Sequence, residues 1–429
     1  MRITFVNRYF YPDISATSQL LTELAEDLDA RGESITVITG NMLYLTAERL
    51  PPHDRHHGIH IKRVGFTSFG RTRMLGRFAD YLSFLVCAFW KAVRLKDQDC
   101  LVVLSDPPIL SLFAAMVRFF IPVTTVCWLQ DIFPDIAVRA GVIRESVVTH
   151  ILGRMAVWSL RQMDQIVVIG RCMEQRLLSR GFAARTIANI PNWADGSQIH
   201  SRPRQDNAFV RQHGLHDRFV VMYSGNHGIV HELDSLAHLV RTTKSVPGIC
   251  FCFIGEGAGK GELIKMSREE GWPHVMFLPY QPKPALEFSL SAADVHLVSL
   301  RAGMEGLCVP SKLYGVLAAG RPVLFVGPAE SEVAHIIREA GCGASVAPGN
   351  TPAAVEALLS VYRDRTLLDK QGRAARKYFE QHCDRPFSTE RFRQTLHRVC
   401  AKPDLSRSQL AVASGRSEQP ITGINPRSR

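Results

Sequence analysis

The run with most chemistry in it is 304–323, MEGLCVPSKLYGVLAAGRPV. Pro310-Ser311 precedes helical periodicity that Gly320 ends, and Pro322 opens the next strand. Ser311 fits an N-cap. The free N–H groups and positive dipole end of a helix start suit a diphosphate, and Lys312 adds a mobile cation there. Glu305, in the loop just before, is placed to accept hydrogen bonds from sugar or ribose hydroxyls. A capped helix with surface charges is the alternative that these residues leave open. A second segment, Tyr223-Ser224-Gly225-Asn226-His227-Gly228, follows an apolar strand. Glycines in such a turn let a phosphate approach backbone amides closely; His227 and His231 face either a cleft or solvent. In the third, Trp128-Leu129-Gln130-Asp131-Ile132-Phe133-Pro134-Asp135, Gln130 and Asp131 stand at the carboxyl end of a strand, where active-site groups collect in parallel sheets. Asp131 either contacts an acceptor or a developing positive charge, or caps the next turn. The fourth is YFYPDISAT, Tyr9–Thr17. Asp13, Ser15 and Thr17 frame an acceptor pocket, or Pro12-Asp13 makes a plain Asx-type turn.

The elements that must position these groups alternate. Arg2–Val6 reads as a strand. Gln19–Ala30 has helical spacing with Leu20, Leu21, Leu24, Ala25 and Leu28 on one face, and Ser34–Thr39 is a second strand. Strand, helix, strand at this spacing is a βαβ unit and so a parallel sheet. The alternation continues to Ile187–Ile190. It restarts at Phe219–Tyr223, after a polar, basic stretch, Ser201–Asp217, that reads as a linker. The final helix is expected over about Ser388–Cys400. The result is α/β: two doubly wound domains, 1–200 and 201–400, with a site in the cleft between them. The tail 402–429, rich in Ser, Arg and Pro, is expected to be disordered.

The 429 residues include 51 Lys+Arg and 40 Asp+Glu, a formal charge of +11. The excess is spread over both halves of the body, which argues against a dedicated nucleic-acid binder. No GxSxG, P-loop, HExxH or paired strand-end carboxylate is present. The turn Gly255-Glu256-Gly257-Ala258-Gly259 looks like a dinucleotide loop but lies late in its domain without an acidic partner at the right spacing. No cofactor and no metal site is therefore expected. The ten Cys form no CxxC pair and read as buried thiols of a reducing compartment. MRITFVNRYF is no signal peptide, and no transmembrane helix is expected, so the location is cytoplasmic. Residues 55–77 hold Arg55, Lys62, Arg63, Arg71, Arg73 and Arg77 and no acid. They precede an apolar helix, Phe78–Leu95, bearing Phe84, Phe89 and Trp90. Basic residues beside exposed aromatics suit an anionic membrane surface; a buried helix with a solvated basic loop is the alternative.

With these motifs in view, the chain resembles the retaining glycosyltransferase family 4, and within it bacterial enzymes of colanic-acid and O-antigen type. The residues carrying the likeness are YFYPDISATSQLLTELAEDLDARG, LQDIFPD, IPNWAD, YSGNHG, VPSKLYGVLAAGRPV and Ser331-Glu332 in PAESEVAHIIREAGCG. The resemblance implies a GT-B fold, with a nucleotide-sugar donor, UDP-linked, on the C-terminal domain. Its diphosphate would lie against Gly225–Gly228 and the Ser311/Lys312 helix start. A lipid-linked glycan acceptor on the N-terminal domain, contact with the inner face of the cytoplasmic membrane, and metal-independent transfer with retention are implied as well. Gln130, Asp131 and Glu305 would be the catalytic groups. Two departures stand out. The wider family has two glutamates eight positions apart, whereas here those positions are Leu307 and Gly315, with Glu305 two residues away. The family often has a histidine where this chain has Gln130, and Gln accepts no proton at neutral pH. A GT-B sugar epimerase and an inactive GT-B scaffold are the competing readings.

Overall fold

The computed structural model describes residues 1–401 other than 45, 47, 66, 68–73 and 96, and for 74, 75, 77 and 78 the backbone only. The expectation of a disordered tail over 402–429 lies outside the described residues.

The N-terminal sheet contains β1 (Arg2–Val6), β2 (Ser34–Gly40), β3 (His53–His56), β4 (Ile59–Val64), β5 (Cys100–Val103), β6 (Thr124–Leu129), β7 (Gln165–Val168) and β8 (Ile187–Asn189). Their order is β3-β4-β2-β1-β5-β6-β7-β8, parallel throughout except that the edge strand β3 runs antiparallel to β4. The helices of this half are α1 (Ala16–Ala30), α2 (Met74–Val93), α3 (Leu110–Arg118), α4 (Asp135–Arg139), α5 (Val147–Arg161) and α6 (Arg171–Ser179). The second sheet, β9 (Phe219–Ser224), β10 (Ile249–Ile254), β11 (Val275–Leu278), β12 (Val295–Ser299), β13 (Val323–Val326) and β14 (Gly343–Val346), is all parallel in the order β11-β10-β9-β12-β13-β14. Its helices are α7 (Ala208–Gln212), α8 (Leu233–Thr243), α9 (Lys260–Glu269), α10 (Leu286–Ser291), α11 (Lys312–Ala318), α12 (Glu332–Ala340), α13 (Thr351–Arg363) and α14 (Arg365–His382), followed by α15 (Arg385–Cys400).

Central strands such as β5, β7 and β10 are buried at every position. This is why they read as unbroken apolar runs rather than alternating ones. The five apolar residues of α1 named above all pack inward. Two parts of the molecule depart from the linear reading. The stretch 201–217 is no loose tether: Asn207 caps α7, Phe209 and Val210 are buried, and Arg202 and Arg204 pair with Glu287 (2.9 Å) and Asp294 (3.0 Å). The last helix, α15, crosses back onto the N-terminal sheet. Phe392 stacks edge-on against Trp128 at 5.0 Å, and Trp128 stacks on Trp193 at 5.5 Å. Arg385 at its start reaches Asp27, Glu26 and Asp195 at 2.6–3.2 Å. Burying an aromatic such as Phe392 stabilises by about 2–3 kcal/mol, so residues 385–400, within the expected C-terminal domain, help to hold the N-terminal one.

The expected basic, aromatic membrane face also changes. Arg71, Arg73 and the side chain of Arg77 lie outside the described residues. Arg63 is buried and bound to Asp54 (3.0 Å) and to the Tyr11 and Pro51 carbonyls, and Phe84 is in the core, while Trp90 is exposed. Among the described residues no helix is long and apolar enough to cross a membrane.

Candidate functional site

Across the cleft the loops leaving β6 and β12 touch. The Ile132 amide donates to the Leu307 carbonyl (2.9 Å), and Arg176 of α6 donates to the Glu305 carbonyl (3.4 Å). On the far side of that contact the α6 N-terminus receives Glu332. Its carboxylate accepts from the Arg171 amide (2.6 Å) and Arg171 Nε (3.0 Å). Lys283 reaches Glu23 at 2.7 Å. These contacts bring the carboxyl ends of both sheets together.

On the C-terminal side two glycine turns, not one, form the floor. Gly225 N bonds Ile254 O, His227 N bonds Glu256 O and Gly259 N bonds His227 O, each at 2.9 Å. The packing leaves no room for a side chain: a Cβ on Gly255, whose φ is +122°, would meet Gly225 O at 2.1 Å. The Gly255–Gly259 turn, set aside in the sequence as a misplaced dinucleotide loop, is thus the partner of Gly225–Gly228. Lys260 fixes it by donating to Gly255 O (2.7 Å), Leu278 O (3.1 Å) and Glu256 Oε1 (2.7 Å).

Lys312 is not mobile. Its ammonium lies 3.6 Å from the centroid of the Tyr223 ring and donates to Tyr223 Oη and Asn226 O (3.2 Å). Burial holds its pKa well below the ordinary lysine value. A bound anion would offset that penalty and draw the proton back on. Ser311 stands at the N-cap position but its hydroxyl caps nothing, and α11 has only seven residues. The amides of Leu313 and Tyr314 turn back onto Pro310 O and Ser311 O (3.2 Å each). Those of Ser311 and Lys312 meet no acceptor among the described residues. The candidate anion-binding set is therefore the lysine, two amides and the glycine turns, rather than a long helix dipole.

Glu305 has one carboxylate oxygen, Oε2, enclosed with no hydrogen-bond partner, as expected of a group awaiting a hydroxyl. Gly315 has no carboxylate to add; a Cβ there would sit 3.3 Å from Leu290. The His227 ring is fully buried between Tyr223 (4.8 Å) and Phe253 (6.2 Å), and neither nitrogen has a partner among the described residues. Burial, then Lys312 and Lys260, push its pKa down to about 3. What His227 offers the turn is its backbone. His231 Nδ1 pairs with Ser299 O at 2.8 Å, and burial then Lys312 lower its pKa to about 3.

On the N-terminal side, Gln130 and Asn192 are tied face to face: Gln130 Nε2 donates to Asn192 Oδ1 (3.0 Å) and Asn192 Nδ2 to Gln130 Oε1 (2.8 Å). This explains how a glutamine sits there without reaching for a proton: its amide is spent on IPNWAD. Asp131 remains available. Burial, and then Asp106, raise its pKa to about 6. At Asp13 the turn alternative forms: one oxygen accepts the Ser15 amide (2.7 Å) and the other the Tyr44 amide (2.5 Å), so the carboxylate closes an Asx turn and clamps a loop. The Ser15 hydroxyl is enclosed without a partner, and Thr17 is half-buried on α1. Glu26, His56 and His57 come within metal-ligand spacing of one another, 4.8 Å. There His56 already pairs with Glu26 (2.8 Å) and Arg385 holds the other carboxylate oxygen (3.0 Å).

Tyr223, Gly255, Glu256 and Arg176 were not singled out from sequence. Tyr223 and the GEGAG run were visible, but only the strand order β10-β9-β12 makes them neighbours of Lys312.

Comparison with known proteins gives the family and the fold. The family model "Glycosyl transferase 4-like domain" matches residues 16–193 and "Glycosyl transferases group 1" matches residues 205–378. The Pseudomonas aeruginosa protein named "Probable glycosyltransferase WbjE" is 27% identical over 95% of this chain and 100% of its own length. WcaI of Escherichia coli K12, named for colanic acid biosynthesis, is 30% identical over 53% of this chain and 55% of its own. The crystal structure of Anabaena HepE in complex with UDP and glucose superposes with a TM-score of 0.72 at 15% identity, covering 92% of this chain and 99% of that one. A 4-like glycosyl transferase domain, a group 1 glycosyl transferase domain and a shared cleft between two parallel sheets make this chain a member of the GT-B glycosyltransferases.

Proposed function

We propose that the protein transfers a sugar from a UDP-sugar to a lipid-linked glycan acceptor, with retention, in cell-surface polysaccharide synthesis at the inner face of the cytoplasmic membrane. The observation that carries the reading is the pairing of Lys312 with the double glycine turn, opposite the unpartnered oxygen of Glu305. A leaving nucleoside diphosphate develops negative charge, and fixed donors aimed at that position lower the barrier. Lys312 and the Ser311 and Lys312 amides supply such donors without calling on a metal. Glu305 would hold the donor's hydroxyls. Asp131, across the cleft with its raised pKa, would orient the incoming acceptor hydroxyl and face the positive charge on the sugar ring. With retention, a donor oxygen itself takes the acceptor proton, so no separate protein base is required. The UDP complex of HepE and the name of WcaI favour the nucleotide and the pathway class.

A thermal-shift panel of nucleotide sugars tests the donor. A ligand at a hundred times its Kd stabilises by about 2.7 kcal/mol. UDP-sugars should shift the wild type, and Lys312→Met should lose most of the shift. An equal shift in the variant would sink the reading. Release of UDP that depends on a lipid acceptor separates transfer from epimerisation, and its absence despite UDP-sugar binding would favour an inactive scaffold.

A further inference from the structure

The exposed large apolar side chains are not scattered. On α5, Val147, Ile151, Met155 and Trp158 repeat at helical spacing on one outer face, 38–76% exposed, with Val148 beside them. The next helix, α3, which packs against α5, ends in Phe119 and Phe120, 77% and 65% exposed. Beyond it α2 carries Leu82, Val86 and Trp90 at i, i+4 and i+8, all exposed. A tract of this kind across three adjacent helices marks an interaction surface rather than ordinary surface apolarity.

One edge of the tract opens into a groove of about 1000 Å³ between the β6–α4 loop and α5. Trp158 belongs to both. Five arginines, 139, 144, 154, 161 and 180, line the groove against two carboxylates, Asp135 and Glu145. Asp135 is taken by Arg180 (2.8 Å) and Glu145 lies against His150 (3.7 Å). Among the described residues no carboxylate pairs with Arg139, Arg144 or Arg154. The groove adjoins the cleft. It starts at Phe133, two residues after Asp131, and the stem of Arg139 lies against the other domain, 3.9 Å from where a Cβ on Gly303 would stand.

We infer that this arginine groove binds the phosphate or diphosphate of a lipid, with the apolar faces of α5, α3 and α2 receiving its tail or the bilayer that holds it. The inference rests on the acceptor reading above and names the acceptor's anionic headgroup as the recognised group. Guanidinium groups match phosphate oxygens bidentately. Three of them without a carboxylate leave a site short of negative charge. Apolar side chains directly beside it favour an anion that carries a hydrocarbon over a free one.

The test is calorimetric titration of the full chain with farnesyl diphosphate, inorganic diphosphate and farnesol, with UDP saturating so that the donor site is filled. Farnesyl diphosphate should bind at least about tenfold more tightly than inorganic diphosphate or farnesol. The triple variant Arg139→Ala, Arg144→Ala, Arg154→Ala should weaken it by at least about tenfold while UDP affinity holds. All three arginines are exposed, and UDP binding reports that the variant is folded. Unchanged affinity in the triple variant overturns the groove assignment. Equal binding of inorganic and farnesyl diphosphate overturns the lipid part. Failure of the wild type to bind UDP instead strikes the donor reading.

Discussion

The two walls of the cleft are built differently. The C-terminal wall is made of short contiguous turns that present backbone: Gly225–Gly228 locked onto Gly255–Gly259, with one lysine laid across them. The opposite wall is made of side chains whose availability depends on distant partners. Asp13 is consumed by the amides of Ser15 and Tyr44, and Gln130 by Asn192, while Asp131 is left over. The Gly225–Gly228 turn therefore keeps its meaning when read linearly, whereas Gly255–Gly259 gains its own only as that turn's partner. A motif of polar side chains acquires meaning only once its hydrogen-bond partners are known.

That contrast can be broken or sharpened by substitution. Lys312→Met should lower kcat/KM by roughly 10²–10³-fold, the range for losing a preorganised charge donor. It should leave urea stability equal or higher, because a buried ammonium is removed; a large loss of stability would make the lysine structural. Gly255→Ala should destabilise by about 3 kcal/mol, since its Cβ meets a carbonyl oxygen at 2.1 Å and its φ is +122°. A tolerated alanine would show that the two turns are not locked. Asp131→Asn should cost roughly 10²-fold in turnover and remove a pH limb near 6. With a raised pKa, the ionised form builds up as pH rises through about 6, so wild-type turnover should rise there. A limb that persists in the variant belongs to another group. Asp13→Ala should cost about 2 kcal/mol of stability, from two orphaned amides, and leave KM for donor and acceptor unchanged. A selective rise in acceptor KM would return Asp13 to the acceptor pocket.

A last effect is acid sensitivity of the C-terminal domain. His227 and His231, at about 3, and His296, at about 4, are all held below the free histidine value, chiefly by burial. The unfolded chain binds these protons first, so their contribution is complete above pH 6.5 and is lost as pH falls toward 3–4. His227→Phe, flanked by Tyr223 and Phe253, should recover about 2 kcal/mol at pH 5 relative to pH 7.5, read by urea unfolding at both values. An unchanged acid limb would mean that the ring is hydrated.

Much of the fold was legible because it is local. Periodicity placed β1, α1, β2, β9 and most helices within a few residues. The missed elements have plain reasons. The edge strand β3, HDRH, is polar and exposed on alternate residues, and lacks the apolar run of a buried strand. The stretch 201–217 reads polar because its arginines are, yet Glu287 and Asp294, some ninety residues on, draw them in. Of the candidate site, Gly225 and Asp131 were picked out from their position after strands, and Lys312 and Glu305 from a helix start and the loop before it. Gly255 and Tyr223 were passed over, because their role comes from β9 lying between β10 and β12.

By itself the amino-acid sequence determined two parallel α/β halves and a glycine turn after the first strand of the second, since helix and strand period and glycine freedom are properties of neighbouring residues. The tertiary structure alone decided which polar groups stay free. Asp13 and Asp131 are the same residue type in the loops that leave two strands of one sheet, and only the first meets two backbone amides through its carboxylate. It also decided that α15 returns to the first domain and that α2, α3 and α5 align one apolar face beside an arginine groove. Both depend on contacts between segments far apart in the chain, which no local pattern encodes.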